Sequence, residues 1–317
     1  MKPQRYRVGD VIRGDHRVLA VYETELGVVY VCRQDLPGGK HVYKALKTFR
    51  LATEVARALF ERELANWVRL PPHPNIVQAK DADTVNHFLV LEFVPGPNLR
   101  EVAWNAPIHP RHFFRWAAQV AGALRFLHDN HFLHRDLRPA NVLVDAEHGL
   151  TAKISDLGIG KPFDPSAASH TVIGTFTYMA PEVYEGRTDY RSDIFSFGAT
   201  LYFLLTGAYA AKLSTRGMGA VTSPSRLVPS IPEEVAACVL RCLAAKPEER
   251  YAGMGEVAAE LAPLRDWPVD GMPYERCSKH DYSYYSPEKR LACPFCFYAK
   301  TFSGQEAELE RMLKRGR

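Results

Sequence analysis

The chain has 317 residues, of which 46% are hydrophobic and 11% aromatic, enough for a large packed core and for more than one average domain. Its 40 basic and 36 acidic residues give a formal charge of +4 without a long run of one sign, so composition gives no reason to propose DNA or RNA as a partner. The first ten residues lack an apolar signal-peptide segment, and no window approaches the roughly 20 apolar residues of a membrane span, so we expect a soluble, cytoplasmic protein without a membrane partner.

The apolar pattern divides the chain into parts of different character. From about residue 10 to 94 the pattern is mostly that of strands, with one helical stretch from Thr53 to Leu70 that ends at two prolines. From about residue 98 to 264 the helical period dominates, interrupted by loops rich in Gly, Pro, Asp and Ser. We therefore predict an α+β fold with a sheet-rich part at 10–94, a helical part at 95–265, a small module at 272–300 and a tail helix at 303–317.

The most informative segment is HRDLRPAN, residues 134–141, which is followed by a strand-like VLV. It resembles the catalytic loop of the protein kinases, in which an Asp lies five residues before an Asn. An acceptor hydroxyl needs a carboxylate to orient it and take its proton, and an amide oxygen can hold a magnesium ion without adding charge. By this resemblance Asp136 is the catalytic base, Asn141 is a metal ligand, and Arg138 contacts the transferred phosphate where serine/threonine kinases usually carry Lys.

A second motif follows fifteen residues later, where a strand-like segment leads into Asp156-Leu157-Gly158. This resembles the metal-binding Asp-Phe-Gly of the same family, with Leu in place of Phe. The resemblance implies that Asp156 holds magnesium against the phosphates of ATP.

Three further features match the family downstream. The segment GTFTYMAPE, residues 174–182, resembles the kinase substrate-docking segment, and its Thr175 would hydrogen-bond the catalytic Asp. By the same resemblance, Asp193 would brace the catalytic loop, although an N-cap is the alternative interpretation of this residue. Arg250 would pair with Glu182.

The first half of the chain carries candidates for the lysine and glutamate that kinases pair to hold the α- and β-phosphates. Lys47 on a strand and Glu63 on the one long helix resemble that pair, and the helical spacing favours Glu63 over Glu61. Lys44 remains a rival for the lysine.

The nucleotide-binding residues around that lysine depart from the family pattern in one place. Glu92–Val94 would be the hinge that receives adenine, with Leu91 as gatekeeper. Gly27 fits the last glycine of the glycine-rich loop, but the two earlier glycine positions hold Tyr22 and Thr24. The same loop carries two carboxylates, and like charge near a triphosphate should weaken its binding.

These motifs occur in the family's order over about 200 residues. The resemblance implies a bilobal protein kinase fold, with ATP and Mg²⁺ (or Mn²⁺) between a sheet-rich N-lobe and a helical C-lobe. It also implies phosphorylation of a protein substrate on Ser or Thr, in the style of soluble bacterial serine/threonine kinases, since Pro139 and residues 174–182 resemble that class. The altered glycine loop supports a second hypothesis, a weak or inactive pseudokinase that acts as a nucleotide-regulated scaffold. Against it, the proton, metal and Lys–Glu residues are all present.

Arg135, directly before the catalytic Asp, suggests by resemblance a kinase that is switched by phosphorylation of its activation loop. Arg135 would then pair with the added phosphate. The candidate acceptors are Ser166, Ser169 and Thr171.

The cysteine pattern predicts a metal site near the C-terminus. Cys277-x-x-His280 and Cys293-x-x-Cys296, separated by twelve residues, have zinc-ribbon spacing. Four such ligands make a closed site, so we expect a structural Zn²⁺ that holds a module with few aliphatic residues. Free thiols and a surface histidine are the alternative. The module would either dock on the kinase or recruit a partner. Two other cysteines, at positions 238 and 242, are expected in the core of a helix.

Overall fold

The computed structural model describes residues 5–24, 27–49, 61, 64–65, 67–83, 88–157, 176–210, 221–265, 267, 272–286 and 293–315. These residues form two compact units. The first unit comprises Met1–Pro72, Val77–Val94 and Phe297–Arg317, and the second comprises His73–Ile76 and Pro95–Cys296. Within the described ranges, every helix is too short or too polar to span a bilayer.

The first unit is built on a six-stranded antiparallel sheet in the order β1-β2-β3-β4-β6-β5. The strands are β1 (Val11–Ile12), β2 (His16–Glu23), β3 (Val28–Asp35), β4 (His41–Thr48), β5 (Ala79–Asp83) and β6 (Phe88–Glu92). Their β-branched and aromatic residues fit a pleated, partly buried surface. One face packs as a continuous core around Tyr30, Leu46 and Val90, each at most 2% exposed. Residues 61, 64–65 and 67–69 are helical, and the buried Leu64 and Trp67 lie among them.

The second unit is mainly helical and carries two short hairpins, the second of which lies in its C-terminal segment. Its helices are α1 (Leu99–Val102), α2 (Pro110–Asp129), α3 (Tyr190–Thr206), α4 (Pro224–Leu227), α5 (Glu233–Cys242) and α6 (Met254–Leu261), and the first hairpin is β7 (Val142–Asp145) with β8 (Thr151–Ile154). Helix α3 is the central element, because it is buried on nearly all sides. It begins at a capping box formed by Asp189 and Ser192 and ends at Gly207, whose φ of 69° suits a residue without Cβ.

The C-terminal segment forms a hairpin followed by a helix. Strands β9 (Tyr274–Cys277) and β10 (Tyr282–Tyr285) pair in antiparallel fashion, and helix α7 runs over Pro294–Arg315. The tail helix that was predicted at 303–317 begins earlier, at Pro294. Proline suits the first turn of a helix, and the helix continues from there without a break.

Two expectations are confirmed at this level. The α+β class, with a sheet-rich part and a helical part, is as predicted. Cys238 and Cys242 are fully buried free thiols on α5, as expected for core residues.

Candidate active site and cysteine cluster

The loop after α2 is held by one buried carboxylate. Asp193, in the first turn of α3 and 1% exposed, accepts hydrogen bonds from the backbone N–H groups of His134 at 2.8 Å and Arg135 at 2.9 Å. Its Oδ2 also lies 2.9 Å from Nε2 of His128. These bonds support a backbone in which Arg135 has a φ of 61°, an uncommon value for a residue with a Cβ. The predicted bracing of the catalytic loop by Asp193 is confirmed, and His128 is a further partner that the sequence did not reveal.

Asp136 and Asn141 are joined directly. The Asn141 side-chain nitrogen donates to the backbone oxygen of Asp136 at 2.7 Å and to its Oδ2 at 2.9 Å. Asn141 ends a 3₁₀ turn over Pro139–Asn141 and is 4% exposed. Because the amide nitrogen is used by Asp136, the amide oxygen is the atom that remains to bind a cation. Arg138 lies beside the pair, with its Nε 3.9 Å from Oδ2 of Asp136.

Asp156 is brought to this loop by the end of β8. The neighbouring Ser155 donates to the Asn141 backbone oxygen from its N–H at 2.8 Å and from its Oγ at 3.1 Å. His134 provides a second link. Burial lowers the pKa of His134, while the negative charges of Asp193, Asp136 and Asp156 all act against that shift. The structure therefore brings Asp136, Asn141 and Asp156 together.

Several predicted residues of this half lie outside the described part of the chain. They are Gly158, Ser166, Ser169, Thr171 and Thr175. The predicted hydrogen bond from Thr175 to Asp136 and the phosphorylation sites stay predictions.

The predicted pair of Glu182 and Arg250 is present and buried. Arg250 donates to both carboxylate oxygens of Glu182, at 2.7 and 2.8 Å, and the two side chains are 0% and 6% exposed. Burial alone would raise the pKa of Glu182, but the hydrogen bonds from Arg250 and Ser192 outweigh it and hold that pKa below its ordinary value. This prediction is confirmed, and Ser192 is an additional partner at 2.8 Å.

The candidate lysines of the first unit have different surroundings. Lys47 is 3% exposed, and its Nζ lies 5.2 Å from the ring centroid of Phe49. Side chains alternate along a strand, so Lys47 shares its sheet face with Tyr43 and Ala45, whereas Lys44 lies on the opposite face and is only half-buried. This difference favours Lys47 for a specific role. Glu63, its predicted partner, lies outside the described residues.

The two ends of the loop before β3 are joined by hydrogen bonds. The backbone N–H of Thr24 donates to the oxygen of Gly27 at 2.8 Å, and the Thr24 hydroxyl accepts from the Gly27 N–H at 3.1 Å. A Cβ on Gly27 would lie 1.9 Å from the backbone oxygen of Thr48, so this position admits only glycine. One of the two loop carboxylates, Glu23, forms an exposed ion pair with Arg5 at 3.6 Å.

The predicted hinge is held at its first residue by Gln78. Glu92 and Gln78 exchange two hydrogen bonds, from the Glu92 N–H to the Gln78 oxygen and from the Gln78 N–H to Oε1 of Glu92, both at 3.0 Å. Leu91 and Val94 are each 5% exposed. The hinge segment is therefore held by hydrogen bonds at Glu92, and its last residue is buried.

The four predicted zinc ligands form one cluster. Their ligand atoms all lie within 4.8 Å of one another. The Nδ1 atom of His280 is 3.6, 3.8 and 3.4 Å from the sulfurs of Cys277, Cys293 and Cys296, and the sulfurs of Cys277 and Cys296 are 3.6 Å apart. A tetrahedral zinc ion with bonds of about 2.0–2.3 Å would place its ligands roughly 3.5–3.8 Å apart. The cysteines are free, since a disulfide needs sulfurs at about 2.05 Å.

The cysteine module packs on α2 within the second unit. The ring of Tyr282, which is fully buried, lies 4.8 Å from that of His112 and 5.0 Å from that of Phe295. His112 accepts a hydrogen bond at Nε2 from the backbone N–H of Ser283 at 3.1 Å. Burial lowers the pKa of His112 to about 4, so the imidazole is neutral at this contact. Of the two roles that the sequence left open for the module, the structure shows docking on the chain itself.

Comparisons with known proteins agree with this geometry. The family model for the protein kinase domain matches residues 23–261, about three quarters of the chain. A probable serine/threonine-protein kinase of Clostridium acetobutylicum is 31% identical over 277 residues, which cover 82% of this chain and 41% of the relative. The serine/threonine-protein kinase PrkC of Bacillus subtilis is 32% identical over 215 residues, 64% of this chain and 33% of that protein. The serine/threonine-protein kinase PknB of Mycobacterium tuberculosis is 33% identical over 221 residues, 64% of this chain and 35% of that protein. The chain thus spans less than half the length of these relatives.

Proposed function

Because the chain belongs to the protein kinase family, we propose that it transfers the γ-phosphate of ATP to serine or threonine hydroxyls of proteins, its own activation loop among them. The observation that carries this proposal is the joined pair of Asp136 and Asn141, on a loop that Asp193 holds through two backbone N–H groups. A site that only had to bind a nucleotide would have no use for a carboxylate fixed in this way.

Asp136 orients the acceptor hydroxyl and takes its proton. Its Oδ2 accepts from Asn141 at 2.9 Å, and this bond helps to orient the carboxylate toward the acceptor hydroxyl. Arg138 beside it and the buried Lys47 supply positive charge for the phosphates. Glu63 and Thr175 complete this proposal as the partner of the lysine and the partner of Asp136.

The donor set suits a magnesium ion. Asn141 donates to Asp136 through its amide nitrogen, so its amide oxygen can serve as a ligand. Asp156 would add a carboxylate oxygen. Magnesium prefers hard oxygen ligands of this kind. Magnesium or manganese bound there would neutralise phosphate charge during transfer. The adenine would contact the hinge Glu92–Val94 next to Leu91. Gly27, at the end of its loop, would also contact the nucleotide.

Regulation by phosphorylation is part of the proposal. Arg135 is exposed although its backbone is fixed by Asp193, and by the family resemblance its guanidinium would pair with a phosphate on the activation loop. Ser166, Ser169 and Thr171 are the candidate acceptors. The serine/threonine class is supported by the names of the three relatives.

We also propose that the cluster of Cys277, His280, Cys293 and Cys296 holds a structural zinc ion. The ligand distances fit a closed tetrahedral site, which leaves no position for a reacting water. Burial alone would raise the pKa of Cys277, but hydrogen bonds from the backbone at His280 and from the neighbouring thiols lower it, which favours the thiolate at this ligand, whereas burial raises the pKa of Cys293 and Cys296. The face of the module that packs on α2 is closed to partners, so any partner would use its remaining surface. We assign the protein to the cytoplasm, which supplies ATP and keeps such thiols reduced.

The test is transfer of labelled γ-phosphate from magnesium-ATP to the protein itself and to a generic basic protein. Asp136→Asn keeps the size of the side chain and should lower the rate by roughly 10²–10⁴-fold, the usual contribution of a positioned base. Asp129→Asn is the matched control, since Asp129 is two-thirds exposed at the end of α2, and should leave the rate unchanged. Mass spectrometry of the products distinguishes serine or threonine from tyrosine. Absence of transfer by the zinc-loaded wild type, before and after activation-loop phosphorylation, would instead support the pseudokinase scaffold.

A further inference from the structure

The C-terminal helix α7 brings an aromatic side chain to the predicted hinge. The ring of Phe302 stacks on that of Phe93, with centroids 5.2 Å apart and planes at 23°. It also meets Tyr43 of β4 edge-on at 5.4 Å, and Tyr43 lies 5.7 Å from Phe93. Three rings from the helix, the strand and the hinge therefore form one cluster within the first unit.

Polar and apolar contacts both fix this cluster. The hydroxyl of Tyr43 donates to the carboxylate of Glu306, one helical turn beyond Phe302. The three rings pack against the buried Leu19, Ala20 and Val31 of the sheet. The helix is thus anchored on the sheet at two successive turns.

The position of the cluster on the sheet is informative. Val31 is opposite Ala45 in the β3–β4 register, and Tyr43, Ala45 and Lys47 alternate onto one face of β4. Phe302 therefore covers the hinge end of the face that carries Lys47. Phe93 is the middle residue of the hinge, between Glu92, which is bonded to Gln78, and the buried Val94.

From this arrangement we propose that Phe302 is a positioning residue for the nucleotide, acting through Phe93 to hold the hinge against the adenine. The proposal rests on the proposed ATP-dependent function and adds to it an element outside residues 23–261, which match the kinase domain. Phe302 packs on the ring of Phe93. The backbone of Phe93 lies between Glu92 and Val94, the two hinge residues assigned to the adenine. Loss of the ring would remove the residue that stacks on Phe93, so the nucleotide would meet a less ordered hinge.

The test compares two phenylalanines of the same helix in the full, zinc-loaded chain. Phe302→Ala should raise the KM for ATP, and the Kd for a non-hydrolysable ATP analogue by calorimetry, by roughly 3- to 10-fold, the range expected for loss of an aromatic pair. The kcat and the KM for the protein substrate should stay within about twofold of wild type, because Phe302 does not touch the reacting atoms. Phe297→Ala is the matched control, since Phe297 lies five residues earlier and is 71% exposed, and it should change neither constant.

A second variant separates positioning from general stability. Phe302→Trp retains a stacking ring and should keep the affinity within about twofold, whereas Phe302→Leu retains only apolar volume and should lose part of it. An unchanged KM and Kd in Phe302→Ala, equal to those of Phe297→Ala, would overturn the proposal. So would equal losses in the Trp and Leu variants. Nucleotide binding without transfer by wild type would refute the kinase chemistry alone and leave this inference standing, while absence of binding would refute both.

Discussion

Replacement of Arg250 by methionine should lower the free energy of unfolding of this protein more than any single substitution at its surface. Arg250 has no exposed side-chain area and donates to Glu182 and to three backbone oxygens, those of Ala244 at 2.9 Å, Arg191 at 2.9 Å and Ala245 at 3.2 Å. The guanidinium thus connects three parts of the second unit, which are the 3₁₀ turn Pro181–Glu185, the start of α3 and the loop after α5.

The loss of unfolding free energy can be worked out from the buried polar groups that remain after each substitution. In Arg250→Met the carboxylate of Glu182 stays buried without its cation, and removal of one partner of a buried ion pair costs about 3–5 kcal/mol. In Glu182→Gln the guanidinium keeps its three backbone oxygens and one amide oxygen, so the loss should be about 1–3 kcal/mol. We therefore expect the arginine variant to be the less stable of the two. The double variant should cost less than the sum of the single ones, because the two residues interact directly.

Urea unfolding of the zinc-loaded chain, followed by tryptophan fluorescence, measures these differences. The control is Arg125→Met, which removes an exposed arginine that lies 3.7 Å from Asp129 on α2 and should cost less than about 1 kcal/mol. The reasoning is refuted if Arg250→Met costs no more than the control, or if Glu182→Gln costs more than Arg250→Met.

Two further predictions concern the cysteine module. His112 has a pKa of about 4 in the folded chain against 6.5 ordinarily, so its contribution to stability is complete above about pH 6.5 and is lost as the pH falls toward 4. Between about pH 7 and pH 5, this residue should lower the free energy of unfolding of the wild type by about 2 kcal/mol. His112→Gln should remove that part of the pH dependence. A free energy of unfolding that falls as steeply with pH as in the wild type would contradict this. Cys293→Ser should lose the single zinc ion measured by elemental analysis and lower the melting temperature, whereas Cys238→Ser, a change at a buried thiol outside the cluster, should keep the metal. Equal zinc content in the two variants would contradict the proposed site.

The parts of the site that could be predicted from the sequence are those in which the chemistry lies in short segments. Asp136 and Asn141 are five residues apart on one loop, so their contact follows from local chain geometry. The zinc ligands come in two knuckles of the same local kind. The long-range partners of Asp193 and Arg250 were predicted only because the whole motif order resembles a known family.

Contacts between distant aromatic residues have no comparable signal. Tyr282 and His112 are far apart in sequence, as are Phe302 and Phe93, and of these four residues only Phe93 lies in a predicted motif, the hinge. Periodicity indicates that such residues face an apolar surface, but it does not indicate which one. The docking of the module on α2 and of α7 on the hinge therefore became apparent only in the structure.

Gly27 illustrates how one residue can satisfy two requirements that the sequence cannot separate. Its place in the family pattern predicts close approach of the backbone to phosphate. In the structure a Cβ there would lie 1.9 Å from the Thr48 oxygen, so glycine is needed for packing even without a nucleotide. The Thr24 hydroxyl closes the same hairpin on Gly27, at a position where the family has a second glycine. The two ends of this loop are therefore held by the contact of Gly27 with β4 and by the threonine side chain, which explains how β2 and β3 can pair here although Tyr22 and Thr24 stand where the family has two glycines.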